Sequence, residues 1–387
     1  MSELELEVGL HVREGRRERP SAQEDVEYYV ASQWRLMWWR FRRHRLAVVG
    51  GIVTIAFYLV VVFAEFLAPF SPEAYNGRYT YAPPQRLHLI DHTEDGIRIQ
   101  PYVYDYKVEV DQVALRRTFS VDESAKHYLR FLAKAAPYEL FGLIEMDVHL
   151  FGPVEEDAPM FLLGADRLGR DLLTHLIYGT RISMTIGLVG VALSLFLGIL
   201  LGAISGYYGG SVDTLIQRVI EFVRSIPSVP LWLGLAAAVP LDWPPLRVYF
   251  MVTVILSLIG WTNLARAVRG RFLSLRTEDF VLAARLDGAS QWRIIWRHMV
   301  PSFLSHIIAS ITLSIPFMII NETTLSFLGL GLRPPIISWG VLLQAAQNIR
   351  AVATAPWLLL PGGAVVTAVL ALNFLGEGLR DAADPYG

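Results

Sequence analysis

The residues of this chain that could do chemistry are few and scattered. Four histidines, His88, His92, His127 and His149, fall among carboxylates between residues 71 and 163, at no spacing that metal ligation would require. A solvated acidic face accounts for them. Cysteine is absent, which excludes disulfides, thiolate metal sites and cysteine nucleophiles. The only three lysines, Lys107, Lys126 and Lys134, lie outside any Gly-Lys-Ser/Thr sequence, so the chain carries no phosphate-binding P-loop of its own. No nucleophile–base constellation occurs, and no catalytic, cofactor-binding or metal site is expected. Asn263, Asn321, Glu322 and Asn373 fall near the ends of apolar stretches, where such residues more often satisfy helix ends than bind a substrate. Glu65 stands at another such end, within reach of water. The apolar stretches lack the Asp, Glu, His or Lys relays of a proton-coupled carrier.

The elements that carry these residues are mostly apolar. The chain has 387 residues, 53% hydrophobic and 18% charged, with a mean hydropathy of +0.39. That composition predicts an all-α polytopic membrane protein. A net charge of −2 makes no case for nucleic-acid binding. Residues 1–45 read as a polar cytoplasmic segment without the apolar core of a signal peptide, ending in Trp- and Arg-rich sequence suited to an interfacial helix. Span one is expected over 46–67. The cluster Arg40, Arg42, Arg43 and Arg45 before it is kept inside by the positive-inside rule, so the span runs outward.

Residues 71–163 are not membrane-like and predict a small α+β domain outside the membrane. It would have a hairpin around Asp91–Gly96 turning at Asp95-Gly96, a strand through Tyr104–Val110 and an amphipathic helix over Asp122–Ala136. Residues 164–387 hold the remaining spans, at 182–204, 215–239, 248–265, 303–320 and 355–375. The sequence before 182 is expected to lie along the outer interface. Pro227 and Pro230 should kink span three, Pro316 should interrupt span five, and Pro361-Gly362-Gly363 should break span six. An irregular outer loop is expected over Asn321–Thr354. Gly190, Ser194, Gly198, Gly202 and Gly206 recur every four residues and form one face on which another helix can pack closely, from this chain or another subunit.

The loop 266–301 carries seven arginines and no lysine, which places it in the cytoplasm and gives six spans with both termini inside. Within it, Thr277 can cap a helix with Glu278 and Asp279 in its first turn, and Gly288 can end that helix in the left-handed conformation. Ser290 can cap a second helix running to Pro301. Two short helices joined by a glycine resemble a docking element, and an ordinary basic loop is the competing reading.

Leu282-Ala283-Ala284, Gly288 and Pro301 resemble the EAA signature of permease subunits in bacterial ATP-driven importers. Leu282 stands at the family's glutamate position, and His298 and Val300 at its Ile and Leu positions. LGADRLGRDLLTHLIYGTRIS, GYYGGSVD, AARLDGAS, LSFLGLGLRPPIISWGVLL and NFLGEGLRDAADPYG are similar to the dipeptide/oligopeptide/nickel (C-type) branch, from about Leu163 to Gly387, with span one weaker. The insertion of residues 71–163 is longer than the loop common in the family. The resemblance implies a type I ABC importer permease fold in a bacterial or archaeal cytoplasmic membrane. It implies a second homologous permease, forming a heterodimer, two ATPase subunits that hold the ATP-Mg, and an extracytoplasmic binding protein. Glu278, Ala283, Ala284, Arg285, Gly288, Ala289 and Pro301 would then dock the ATPase. Arg285, Arg293 and Arg297 would face its acidic residues or lipid phosphates. The implied cargo is di- or oligopeptides, with nickel chelates or oligosaccharides as alternatives. A secondary carrier or channel and a membrane-embedded enzyme are the readings from other classes.

Overall fold

The computed structural model describes residues 33–93, 96–112, 116–140, 142–155 and 158–383. The polar segment before Gln33, Asp95 of the expected turn and the last four residues of the tail lie outside them. Helix α1 (Gln33–Arg43) leads into α2 (Arg45–Val62), whose start is capped by His44 Nδ1 accepting from the Ala47 N–H at 3.1 Å. A short turn, α3 (Ala64–Leu67), ends the first apolar helix.

The segment that follows is built of strands and contains no α-helix among its described residues, which corrects the α+β expectation. β1 (Asp91–Thr93) and β2 (Gly96–Arg98) pair antiparallel with each other, so a hairpin lies where it was expected, with Asp91 already in its first strand. β3 (Tyr102–Asp111), β4 (Arg116–Leu140) and β5 (Ile144–Pro153) form an antiparallel sheet in that order. The expected helix over Asp122–Ala136 is part of β4. Its helix-like DESA sequence is instead a bulge, where the partner of Asp105 is Asp122 and that of Tyr104 is Lys126. Asp122 Oδ1 fastens this bulge by accepting from Ser124 N–H at 3.1 Å and Ser124 Oγ at 2.5 Å. A short polar side chain that can cap a helix can equally hold such a local turn.

Helix α4 (Leu172–Tyr208) is one continuous rod of 37 residues, about 55 Å long. The segment expected to lie flat on the outer interface is therefore the first turns of this same helix. Asp171 sets its start, with Oδ2 accepting from Thr174 N–H at 2.8 Å and Thr174 Oγ1 at 2.7 Å. The expected third span is two helices, α5 (Gly210–Ser225) and α6 (Ser228–Ala237), bent by 83°. Pro227 forces the break, because it lacks an N–H and holds Ile226 extended at ψ 127°. Helix α7 (Pro245–Leu275) outruns the expected 248–265 at both ends.

Beyond the linking segment described below, α10 (Leu304–Phe327) runs unbroken through Pro316, and so past the expected end at 320. The loop expected over Asn321–Thr354 contains the end of that helix and two short ones, α11 (Trp339–Gln344) and α12 (Ile349–Thr354). Helix α13 (Leu360–Ala383) is not broken by its proline, which sits in the first turn, where a missing N–H costs nothing. Helices α4 and α7 pack along each other, and α13 packs against both α2 and α10. Among the described residues, four helical stretches are long and apolar enough to cross a membrane: α2, α4, α7 and Pro356–Ala382. The bent α5–α6 pair makes a fifth if it is one span.

Candidate functional site

The segment between α7 and α10 is a helix pair. Helix α8 (Asp279–Leu286) is followed by a second helix, α9 (291–302), which starts at Gln291–Arg293, widens to a π segment at Ile294–Met299 and closes at Val300–Ser302. Thr277 does not cap α8. Its hydroxyl donates back to the Ser274 carbonyl at 3.1 Å, at the end of α7, and Glu278 occupies the cap position without a side-chain bond. Gly288 makes the joint at φ +75°, with Ala289 N–H reaching the Ala284 carbonyl at 3.0 Å. A Cβ on Gly288 would meet nothing within 4 Å, so the demand for glycine there comes from backbone conformation alone. Ser290 caps the second helix, accepting from Arg293 N–H at 3.4 Å.

The pair has two contrasting faces. Val281 and Ala284 of α8, with Ile294, Ile295 and Met299 of α9, are buried in a cluster with Ile199, Val268 and Phe272 of α4 and α7. Phe280, Leu282, Trp292 and Trp296 are exposed on the other side, and Leu286 is 89% exposed. Glu278, Ala283, Arg285, Gly288 and Pro301 are also exposed, Ala289 is half-buried, and Ala284 faces inward. The structure thus brings the sequence-predicted residues onto one short element while dividing them between its faces.

Two contacts fix the pair to the spans. The Arg285 guanidinium lies 5.1 Å from the centre of the Tyr207 ring, and Tyr208 donates its hydroxyl to Gln291 Oε1 at 2.7 Å. Arg285 is thereby held against its own chain. Beside this, Arg269 of α7 grips Asp213 of α5 with two bonds of 2.5 Å, and Ser205 Oγ donates to the same carboxylate. Sequence reasoning missed this clamp because its members lie in three different helices.

The small-residue ladder lies against the same chain. A Cβ at Gly198 would come 2.9 Å from Leu264, one at Gly202 2.5 Å from the Ala265 carbonyl oxygen, and one at Gly206 2.5 Å from Phe272 Cβ. Ser194 abuts Gly260 of α7, while Gly190 faces Met318 of α10.

Glu322 differs from the expected helix-end role and from the expected absence of buried acids. It is fully buried in α10, its Oε1 accepts from Ser326 Oγ and Ser338 Oγ at 2.8 Å each, and Ser183 Oγ of α4 stands 3.4 Å from Oε2. Ser183 and Ser338 in turn accept from the backbone of α11, at Trp339 and Val341. This carboxylate therefore ties α4, α10 and α11 into one polar knot. Glu65 pairs with Arg181 of α4, which joins the end of the first span to the second. Asn263 accepts from Arg224. His149 binds backbone carbonyls, and His88 stacks on Tyr102 at 5.0 Å. Among the described residues no group of three His, Cys, Asp or Glu is placed to hold a metal ion. Among the described residues the arrangement presents an exposed apolar face on α8–α9 and ties between helices.

Residues 198–386 match the family model described as binding-protein-dependent transport system inner membrane component, and residues 32–84 match the N-terminal TM domain of oligopeptide transport permease C. The oligopeptide transport system permease protein OppC of Bacillus subtilis is 35% identical over 223 residues, covering 57% of this chain and 70% of that one. The dipeptide transport system permease protein DppC of Alkalihalophilus pseudofirmus is 28% identical over 360 residues, 93% of this chain and 92% of its own. An alignment of that reach includes most of residues 71–163, so that relative carries a comparable segment. Among solved structures, the inward-facing MetNI methionine ABC transporter is similar at a TM-score of 0.40 and 18% identity, over 55% of this chain and 96% of that one. With this identity and coverage to OppC, and the matching family model over its C-terminal half, the chain belongs to the binding-protein-dependent transport system inner membrane components, the permease family of ABC transporters.

Proposed function

We propose that this chain is one of two related permease subunits of an importer that carries di- and oligopeptides across the cytoplasmic membrane. The names of its relatives, oligopeptide and dipeptide permeases, support the peptide cargo. Six crossings complete the subunit, with α5–α6 as the third and α10 as the fifth. Both termini and the α8–α9 pair lie inside, and residues 71–163 lie outside. A binding protein delivers cargo from the outer side. Two ATPase subunits, which hold the ATP-Mg, dock on the inner side.

The observation that carries this reading is the two-faced helix pair. Its inner face is packed onto α4 and α7, while its outer face presents Phe280, Leu282, Leu286, Trp292 and Trp296 to solvent. An apolar patch of this kind on a rigid element marks a protein contact. Movement of a bound ATPase would pass through Tyr207, Tyr208 and the Asp213–Arg269 clamp into α4, α5 and α7. Glu278, Ala283, Arg285 and Pro301 border that contact, Ala284 and Ala289 back it, and Gly288 sets its angle.

Replacing Gly288 with valine tests the reading. A β-branched residue at φ +75° stores about 1–3 kcal/mol of strain and re-aims α8 relative to α9. Membrane insertion should be retained, while ATP-dependent uptake of labelled dipeptide into vesicles holding the complete transporter is lost. Uptake at the wild-type rate would remove the docking assignment.

A further inference from the structure

The far end of the β-rich insertion carries an apolar turn. β4 ends at Leu140 and β5 begins at Ile144, with Gly142 and Leu143 between them, and the sequence 140–144 has no polar side chain. Gly142 makes the turn at φ +65°, and Leu143 N–H reaches the Leu140 carbonyl at 3.1 Å. Leu143 is 86% exposed and Ile144 55%. The register sets Leu140 opposite Ile144 and Tyr138 opposite Met146 on one face, with Glu139 opposite Glu145 on the other. Turn tips in water favour Gly, Asn, Asp and Ser, so this one is built for another medium.

The direction of the ribbon identifies that medium. A register shift between Lys134 and Tyr138 bends it, and His149 fills the bend. The two ring nitrogens of His149 lie 3.0 Å from the Ala136 carbonyl oxygen and 2.6 Å from that of Ala68, the residue that ends α3. β4 and β5 both pack against α3 (Ala64–Leu67), and past the bend Tyr138 lies near enough to Glu65 for that carboxylate, after burial, to raise its phenol above the ordinary value. Glu65 precedes Ala68 in the chain and is paired with Arg181 of α4. Passing from His149 to Tyr138, the ribbon therefore descends from the level of Ala68 to that of Glu65, back toward the apolar length of α2. The turn lies further along the same course.

We propose that the β4–β5 turn, led by Leu143 and Ile144, inserts into the headgroup–acyl boundary of the lipid leaflet around the outer end of α2. This rests on the reading that α2 crosses outward and the insertion stands outside. The occupant is lipid, because the ribbon that carries this exposed apolar turn is packed against α3, at the outer end of the membrane-crossing helix α2. The turn itself is uncharged and its neighbours Glu139, Glu145 and Asp147 are acidic, so anionic headgroups contribute no attraction.

The absence of cysteine makes the test direct, since any introduced thiol is unique. Spin labels are placed on Leu143→Cys, on Ile144→Cys as a second site, and on Gln112→Cys beside the opposite turn. Each full-length chain is reconstituted in phosphatidylcholine nanodiscs, with and without added phosphatidylglycerol. Collision with oxygen, which partitions into lipid, should exceed collision with a water-soluble nickel chelate several-fold at 143 and 144 and be reversed at 112, in both lipids. Nickel accessibility at 143 and 144 equal to that at 112 would overturn the proposal. So would labels hidden from both reagents, which would mean that protein covers the turn. Modification of Gln112→Cys by a membrane-impermeant maleimide in intact cells supports the outward orientation. Protection there alone would overturn that orientation and leave the depth measured at Leu143 to stand by itself.

Discussion

Asp171 serves a single helix end, and its burial gives that service a pH dependence. The carboxylate caps α4 through Thr174, yet it is fully buried and its Oδ1 has no partner in the protein. Burial first, with a contribution from Asp166, pushes its pKa up from 3.8 to about 6. An acid that holds its proton more tightly when folded stabilises the folded state most below its unfolded value. This contribution is complete below pH 3.8 and is lost as pH rises through about 6, some 3 kcal/mol in all. Asp171→Asn keeps an acceptor for Thr174 and cannot ionise. Thermal unfolding in detergent between pH 4 and 7 should therefore flatten in that variant, and an unchanged slope would show that the dependence originates elsewhere. Asp171→Ala cannot ionise either, so its slope should flatten as well, and it should lie about 1 kcal/mol below Asp171→Asn at every pH through the lost cap.

At the scale of elements, the glycine ladder shows what sequence conveys and what it withholds. A period of four places Gly198, Gly202 and Gly206 on one face, but only the structure identifies that face's partner as α7, whose own sequence carries no matching repeat. The sites also differ in ways the pattern hides. A Cβ at Gly202 would lie 2.5 Å from a backbone oxygen, whereas one at Gly270 of α7 meets nothing within 4 Å. Gly202→Leu should destabilise by about 3 kcal/mol or more through overpacking. Gly270→Ala should stabilise by roughly 0.5–1 kcal/mol, as expected for an exposed helical position. Calorimetry in detergent distinguishes the two, and equal effects would refute close packing as the role of the ladder. Elsewhere the local signal misled. The polar run Thr174, His175, Thr180 and Arg181 made α4 look shorter, because the partners that satisfy it, Asp171 and Glu65, include one from a distant span. The stretch from Asp122, expected to be an amphipathic helix, opens with a bulge because β3 was there to pair with it. Glu322 looked like a helix-end residue because two of the serines around it, Ser183 and Ser338, lie outside its own helix. The Gly288 joint and the Ser290 cap were legible because glycine at a left-handed turn and serine at a helix start act on their own backbone.

At the scale of the whole molecule, one bent element decides which side of the membrane the rest occupies. Between the insertion and the α8–α9 pair lie α4, the α5–α6 pair and α7. If all three cross, the number of crossings is odd and the two regions face opposite compartments. If α5–α6 enters and turns back, they share one. Length alone leaves both open: α6 has 10 residues and reaches about 15 Å, half of the roughly 30 Å hydrocarbon core, and its 83° bend from α5 shortens the reach of the pair. Charge favours a crossing, since Asp213, Arg218, Glu221 and Arg224 all fall in α5 and leave α6 uncharged. Asp287→Cys, on the exposed end of α8, and Gln112→Cys in the insertion should therefore show opposite accessibility to an impermeant maleimide. The insertion thiol should react in intact cells and the α8 thiol only in inverted vesicles. Reaction of both from the same side would make α5–α6 a re-entrant hairpin, and if that side is the outer one, the α8–α9 pair would stand where no ATPase could meet it.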